Sequence, residues 1–311
     1  MQETREKPMT DPSTRILLGG ASGLIGSALV RMWAGDQIHP TLLVRRKTSS
    51  EHEISWDPSS DSPVSDPDLL EGFDAVVHLS GANIAAHRWT GKYKREIVDS
   101  RVVSTRKLVN LLRMRKRPPK VLLCASATGI YGSRGEEILR EDSAPGTGFL
   151  AETCKAWEDA ANEARQAGIR VVPLRFGVVL TAEGGALTKM LPPFRLGLGG
   201  KLGSGRQWMD WITLRDATRV MTFLLENQSM SGPVNMTAPH PVTNEEFTRA
   251  LGHALHRPAI FTVPAFALRI GLGEFADEGL LASVRAIPER LTSSGFVFQD
   301  PEIGPALRSI L

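Results

Sequence analysis

The chain has 311 residues, 41% hydrophobic and 23% charged, with 37 basic against 34 acidic side chains and a formal net charge of +3. This composition suits one large α/β domain with a smaller lobe, and the near balance of charge gives no electrostatic case for binding nucleic acid or an anionic membrane surface. The only cysteines, Cys124 and Cys154, argue against a disulfide framework and for a reducing compartment.

Residues 1–13 are polar and lack the apolar core of a signal peptide, so they read as a flexible extension in which Met9 could serve as a second start. No later stretch runs to some 18 uninterrupted apolar residues, and a soluble, cytoplasmic protein is expected. No metal-ligand cluster is visible in the sequence.

The first informative segment is TRILLGGASGLIG, Thr14 to Gly26. Arg15-Ile16-Leu17-Leu18 predicts a buried strand, and the amphipathic stretch Leu24 to Trp33 predicts the helix after it. Gly20, Gly23 and Gly26 between them let backbone approach a pyrophosphate, while the helix N-terminus offers unpaired N–H groups and a positive dipole end. Gly20, Ser22, Gly23, Leu24, Ile25 and Gly26 are therefore expected to bind a dinucleotide. The next strand, Thr41 to Val44, ends in Arg45-Arg46-Lys47, where an NAD-binding chain would offer an acid to the ribose 2′-hydroxyl. Cations there suit a 2′-phosphate, so NADP is expected ahead of NAD, with Arg45 and Arg46 as its ligands.

Thr48 to Asp68 reads as a long loop with a short strand near Ile54 to Trp56. Asp74 to Leu79 predicts a buried strand whose end places Leu79, Gly81 and Ala82 beside the cofactor. A helix is expected over Tyr93 to Arg115, a strand over Val121 to Ala125, a helix over Ala151 to Ala167 stopped by Gly168, and a strand over Val171 to Phe176. This alternation predicts an α/β fold, a Rossmann-type doubly wound parallel sheet. Beyond Gly177 the texture changes. Glycines crowd between Gly184 and Gly205 around Pro192-Pro193, and helices are expected near 214–226, 243–255, 264–272 and 277–284. The expected organisation is a nucleotide-binding unit over 14–180 and a mostly helical substrate lobe over 181–311 that can return elements to the main sheet. Ligands of open α/β sheets sit outside the carboxyl ends of the strands, so the glycine turn, the Gly81 loop, the Ser126 loop and the segment after Arg175 should converge on one crevice.

The glycine turn, HLSGAN, SATGIYG and PLRFGVVL together resemble the extended short-chain dehydrogenase/reductase superfamily. The blocks NIAAHRWTGKYKREIVDSR, FLAETCKAWE, LPPFRLGLGGKLGSGRQWMDWITLRD and IPERLTSSGFVFQDPEIGPALRSIL resemble its atypical "epimerase family protein" group, which carries a C-terminal domain of unknown function. The likeness spans essentially all of the chain after residue 13. It implies a mechanism in which a Tyr acts as general acid/base, aided by a Lys four residues later and a Ser or Thr that holds the substrate oxygen. Matching Glu158 to the acid that often follows that pair puts Leu150 in the Tyr place and Cys154 in the Lys place, and the Ser/Thr place falls on Ala127. Lys155 is one position late, which turns it about 100° around a helix. Tyr131 and Ser126 are the remaining catalytic candidates, with a packed Tyr131 as the alternative.

The likeness also implies a substrate-gripping segment at Gly203 to Trp211. Arg206 is the expected anion ligand there, and Trp208 and Trp211 the expected pocket walls, although one tryptophan can equally be core. Asp216 is expected to cap or orient the following helix. Three readings follow: an NADP-dependent oxidoreductase for a small carbonyl or hydroxyl compound, a nucleotide-sugar epimerase or dehydratase, and a non-catalytic NADP-binding regulatory protein. The first is preferred; a homodimer is compatible with the sequence.

Overall fold

A computed structural model describes residues 14–311, so the expected N-terminal extension lies outside the described residues. The first half alternates strand and helix. It runs β1 (Ile16–Gly19), α1 (Leu24–Gly35), β2 (Thr41–Val44), β3 (Glu53–Ser55), β4 (Ala75–His78), α2 (Gly91–Val98), α3 (Ser104–Arg113), β5 (Val121–Ala127), β6 (Ile138–Leu139), α4 (Phe149–Asn162) and β7 (Arg170–Phe176). The second half runs β8 (Val178–Leu180), α5 (Gly185–Arg195), β9 (Gly200–Leu202), β10 (Trp208–Met209), β11 (Trp211–Thr213), α6 (Leu214–Glu226), β12 (Val234–Met236), β13 (Val242–Thr243) and α7 (Asn244–Ala254). It ends with β14 (Phe261–Val263), α8 (Ala265–Leu272), β15 (Arg285–Ala286), α9 (Glu289–Ser293) and α10 (Ile303–Ile310).

Seven strands form one parallel sheet in the order β12-β7-β5-β4-β1-β2-β3. Its strands are apolar on both faces because both are covered. Ile16, Leu18, Val77, Leu123 and Val172 pack with Leu29 and Trp33 of α1 and Val220 and Leu224 of α6. The alternate residues Leu17, Val76, Leu122 and Val171 pack with Leu108 and Leu112 of α3 and Trp157 and Ala161 of α4. The period-2 alternation of strand side chains thus divides one apolar run between two cores. The strand order reverses between β1 and β4, which opens a crevice at the carboxyl ends of these strands.

The second half is tied to this unit rather than hung from it. β12 is an edge strand of the main sheet, β8 pairs with β11, and β15 reaches back to pair with β6. Asp216 is buried near the start of α6, where its carboxylate accepts from the Gln299 and Asp300 amides, and Asp300 in turn pairs with Arg215 at 2.5 Å. Asp216 therefore has the orienting role expected for it. Among the described residues no helix is long and apolar enough to cross a membrane, and no group of three or more His, Cys, Asp or Glu side chains converges as a metal site.

Three stretches add to or differ from the sequence expectation. The helix expected over 93–115 is present and unbroken from Gly91 to Arg113, with a π-helical turn at Asp99–Val103 between α2 and α3. The glycine- and proline-rich stretch, for which no element was assigned, contains a helix, α5, with Pro192 and Pro193 inside it. The helix expected over 277–284 is only a π-turn at Ala276–Leu280 that leads into β15.

Candidate nucleotide and substrate site

The glycine turn brings β1 and β4 into contact. Gly20 has φ +86°, and a Cβ there would come within 2.8 Å of the Leu79 carbonyl carbon. A Cβ at Gly26 would overlap the Gly20 carbonyl oxygen and lie 2.8 Å from Ala21 Cα, so this glycine lets α1 pack against the turn. Gly23, the N-cap of α1, has an ordinary φ of −79°, and its Cβ would sit 3.3 Å from the Gly20 oxygen. Ser22 and Gly23 are exposed, and α1 has no acidic residue in its first turn. These groups fit an anion, because the N-terminus of α1 has no side-chain cap and no acidic residue in its first turn.

The second loop is held from below. The Leu79 amide donates to the Gly19 carbonyl at 2.9 Å, and the Ala82 amide donates to Ser100 Oγ at 3.0 Å. Arg101, on the π-turn, donates to the Ala82 carbonyl at 2.9 Å and the Ile97 carbonyl at 3.2 Å and stacks over Trp157. Burial lowers its pKa. Its guanidinium lies where a side chain at Gly81 would be. Nothing in the sequence flagged Arg101, since its place depends on the π-turn.

At the end of β2 the two arginines differ. Arg46 donates to both carboxylate oxygens of Glu53, at 2.9 and 2.5 Å, and also to the Lys47 carbonyl and Ser49 Oγ. The Arg46 hydrogen bond and the Ser49 amide pull the Glu53 pKa down to about 2. Arg45 is exposed and has no carboxylate partner among the described residues. Of the two expected phosphate ligands, Arg45 is the available cation and Arg46 a braced neighbour.

Ser126 and Tyr131 sit in one buried network. Ser126 Oγ donates to Glu158 Oε1 at 2.7 Å; Arg175 grips the same carboxylate through Nε at 2.8 Å and Nη2 at 2.9 Å. Arg175 Nη1 donates to the Tyr131 hydroxyl at 2.8 Å and the Glu141 carbonyl at 2.9 Å, and the Tyr131 hydroxyl donates to Asn235 Oδ1 at 2.7 Å. Burial pushes the Tyr131 phenol up to about 12 against the pull of Arg175. Burial would lower the Arg175 pKa, but the hydrogen bonds and charge of Glu158 outweigh it and raise it. The expectation that Tyr131 presents a phenol to the crevice is therefore corrected: it is 0% exposed and both sides of its hydroxyl are occupied. Ser126 is likewise a buried donor to Glu158. Tyr131→Phe should cost about 1–3 kcal/mol of stability, since it leaves buried Arg175 and Asn235 groups short of a partner. Urea denaturation with parallel nucleotide titration checks this, with affinity expected to stay within twofold of the wild type.

Cys154, Cys124 and Lys155 offer no alternative. Both thiols are buried, with pKa values pushed up to about 12 by that burial, and Lys155 is exposed and paired with Asp159 at 3.1 Å. Leu150 packs near Gly129, and its amide, with that of Phe149, donates to the Glu278 carboxylate at 2.7 and 2.9 Å.

In the substrate segment, Trp211 is fully buried in the core of the second lobe, with Nε1 donating to the His240 carbonyl at 3.1 Å. It cannot wall an open pocket. Trp208 is half-buried; it donates to Glu136 at 2.6 Å and lies under the Arg285 guanidinium at 3.9 Å, so of the two expected walls only Trp211 is core. Arg206 is exposed. A residue the sequence reading passed over lies between the tryptophans: Asp210, buried, at the end of β10. A carboxylate inside the apolar run WMDWI was the available signal.

The model of the NAD dependent epimerase/dehydratase family matches residues 16–236, and a domain of unknown function, DUF1731, matches residues 263–310. The chain belongs to the NAD-dependent epimerase/dehydratase family. An epimerase family protein of Mycobacterium bovis is 45% identical over 292 residues, covering 94% of this chain and 96% of that one. The Bacillus subtilis epimerase family protein YfhF is 35% identical over 301 residues, covering 95% and 97%. The human epimerase family protein SDR39U1, solved with NADPH, superposes with a TM-score of 0.86 at 33% identity and covers 96% of this chain and 99% of its own. The family assignment and the Rossmann-type sheet expected from the sequence are both shown.

Proposed function

We propose that this family member binds NADP(H) in the crevice between β1 and β4 and acts as an oxidoreductase on a small carbonyl or hydroxyl compound. The observation that carries the cofactor choice is Arg45, an exposed cation at the carboxyl end of β2 where an acid would be needed to hold a free ribose 2′-hydroxyl. The human relative solved with NADPH supports the same choice. Gly20, Ser22, Gly23, Leu24, Ile25 and Gly26 would hold the pyrophosphate, and Leu79, Gly81 and Ala82 the neighbouring face. The bound cofactor supplies or accepts a hydride; the chain's part is to orient it, exclude water and move a proton.

Calorimetric titration tests the choice directly. NADPH is expected to bind tighter than NADH, and Arg45→Ala should erase about 1.5–3 kcal/mol of that preference, roughly 10- to 150-fold. Arg46→Ala should have the smaller effect, because its guanidinium is already committed to Glu53. Equal affinities of the wild type for the two nucleotides would overturn the assignment.

A second reading, a nucleotide-binding protein without turnover, draws on the Leu150 and Cys154 side chains and on the burial of Tyr131. A third, a nucleotide-sugar epimerase or dehydratase, draws on the exposed Arg206. Incubation with a panel of carbonyl, hydroxyl and sugar-nucleotide compounds separates them. Net NADPH oxidation supports the oxidoreductase, isomerised or dehydrated sugar without net redox change supports the third reading, and bound nucleotide without turnover supports the second.

A further inference from the structure

The two-stranded sheet of β9 and β14 is separate from the central sheet, and its two edges differ in character. Phe261 and Val263 turn their backbone groups toward β9: the Phe261 amide donates to the Gly199 carbonyl at 3.4 Å, and the Val263 carbonyl accepts from the Gly203 amide at 2.8 Å. The far edge of β9 is closed. There the Leu202 amide donates to Asn244 Oδ1 at 2.8 Å, and the Leu202 carbonyl accepts from Gln207 Nε2 and from the Gly205 amide, both at 3.0 Å. The far edge of β14 is open. Ile260 and Thr262, which alternate with the paired residues, direct their amide and carbonyl groups away from β9, with no partner among the described residues.

A cavity of about 590 Å³ lies between α7 and this strand. β9 lends it Lys201, which shares a face of the sheet with its register neighbour Thr262, and α7 lends Arg249 and His253. Arg257 comes from the turn before β14, where its Nε donates to the Arg195 carbonyl at 3.1 Å. The single acid among the lining residues, Glu245, is paired with Lys201 at 3.1 Å. Arg249 and Arg257 are exposed and have no carboxylate partner among the described residues, so the cavity keeps an excess of positive charge. Beside these cations the rim is apolar, with Ile260 81% and Phe261 49% exposed. An uncovered apolar strand edge is a template for pairing with another chain, and here the pairing groups lie next to a basic cavity.

We propose that this groove docks an extended acidic segment of a partner protein, which adds to β14 as a third strand and sets its carboxylates against Arg249 and Arg257. Backbone pairing with Ile260 and Thr262 fixes the register. The alternation of strand side chains then sends every second residue of the added segment to the face on which Lys201 and Thr262 line the cavity, and those are the positions that call for Asp or Glu. Pro258 and Pro264 bracket the open edge and keep the paired stretch short. Charge decides against a second copy of this chain as the occupant. Antiparallel pairing of two β14 edges would set both copies' Arg249 and Arg257 on one face with no acid to offset them. None of the lining residues belongs to the nucleotide site, so this proposal stands or falls independently of the oxidoreductase reading.

Fluorescence anisotropy of a labelled, end-capped octapeptide alternating Glu and Val, titrated with the full chain, tests this. The peptide is expected to bind, to weaken as salt is raised, and to bind at least about tenfold tighter than its Lys–Val counterpart. Two further versions carry N-methyl groups on alternate amides, one on the Glu set and one on the Val set. Only one edge of an added strand faces β14, so one version should lose about tenfold or more while the other binds like the parent. Arg249→Glu, a change at an exposed side chain, should weaken the parent peptide by about tenfold or more with an unchanged circular dichroism spectrum. Absence of binding by the Glu–Val peptide, equal binding of the Lys–Val peptide, or tighter binding of a labelled oligothymidylate overturns the proposal. Equal effects of the two N-methyl sets also overturn it, and full competition by citrate in that case leaves a small free anion as the ligand. Sedimentation of the chain alone covers the remaining occupant: a dimer that displaces the peptide assigns the edge to a second copy and overturns the acidic partner.

Discussion

Arg175→Met is expected to lower the stability of the fold by about 3–5 kcal/mol, the range for breaking a buried ion pair by removing one partner. Both side chains of the Arg175–Glu158 pair are almost fully buried, at 7% and 9% exposure. Removing the guanidinium leaves the Glu158 carboxylate with Ser126 as its remaining hydrogen-bond donor and deprives the Tyr131 hydroxyl and the Glu141 carbonyl of theirs. The double variant Arg175→Met, Glu158→Leu should recover much of the loss, since it removes the unpaired charge as well. Urea denaturation of the two variants beside the wild type is the measurement. A single-variant loss below about 1 kcal/mol would mean that water reaches this pair and that the network is weaker than its geometry implies.

The second large effect is on the cofactor turn. Gly26→Ala is expected to weaken NADPH binding by roughly 100-fold or more, equivalent to losing two charge-assisted contacts of about 1.5 kcal/mol each. The added methyl cannot be accommodated by moving a flexible side chain, because what it meets is the Gly20 carbonyl and Ala21 Cα. The turn must open or α1 must back away, and either displaces the amides proposed to hold the pyrophosphate. Gly23→Ala provides the contrast. Its methyl would lie 3.3 Å from one carbonyl oxygen at an ordinary φ, so a loss well below that of Gly26→Ala is expected. Fluorescence titration reports affinity and circular dichroism reports the fold. Comparable losses for the two variants would show that the cost lies in the ligand's approach rather than in the packing of α1.

The parts of the molecule legible in the sequence were those where one local pattern decides the outcome. β1 and β4 are short runs buried on both faces, and α6 carries its apolar positions at helical spacing behind a threonine cap. α5 was not assigned, because its stretch shows glycines crowded around Pro192 and Pro193 rather than a clear helical pattern. The helix forms because Leu187, Leu191 and Phe194 are buried together against the second lobe, and that packing outweighs the local cost. The opposite error came at 277–284, where an apparently helical stretch stops after one π-turn and the residues that follow it, Arg285 and Ala286, pair with β6 from far along the chain. The site divided in the same way. Glycines needed by backbone geometry announce themselves, whereas the fate of Tyr131 depends on Arg175 and Asn235, which lie 44 and 104 positions away.

The Glu278 carboxylate that receives the first amides of α4 lies 128 positions downstream of Leu150. At translation rates of about 5–20 residues per second, that helix end emerges from the ribosome roughly 6–26 s before its acceptor has been synthesised. During that interval the α4 N-terminus has only water to satisfy it, and for its first two thirds the sheet also lacks its edge strand β12. The N-terminal half therefore depends on the second half to complete both one helix end and one edge of its sheet.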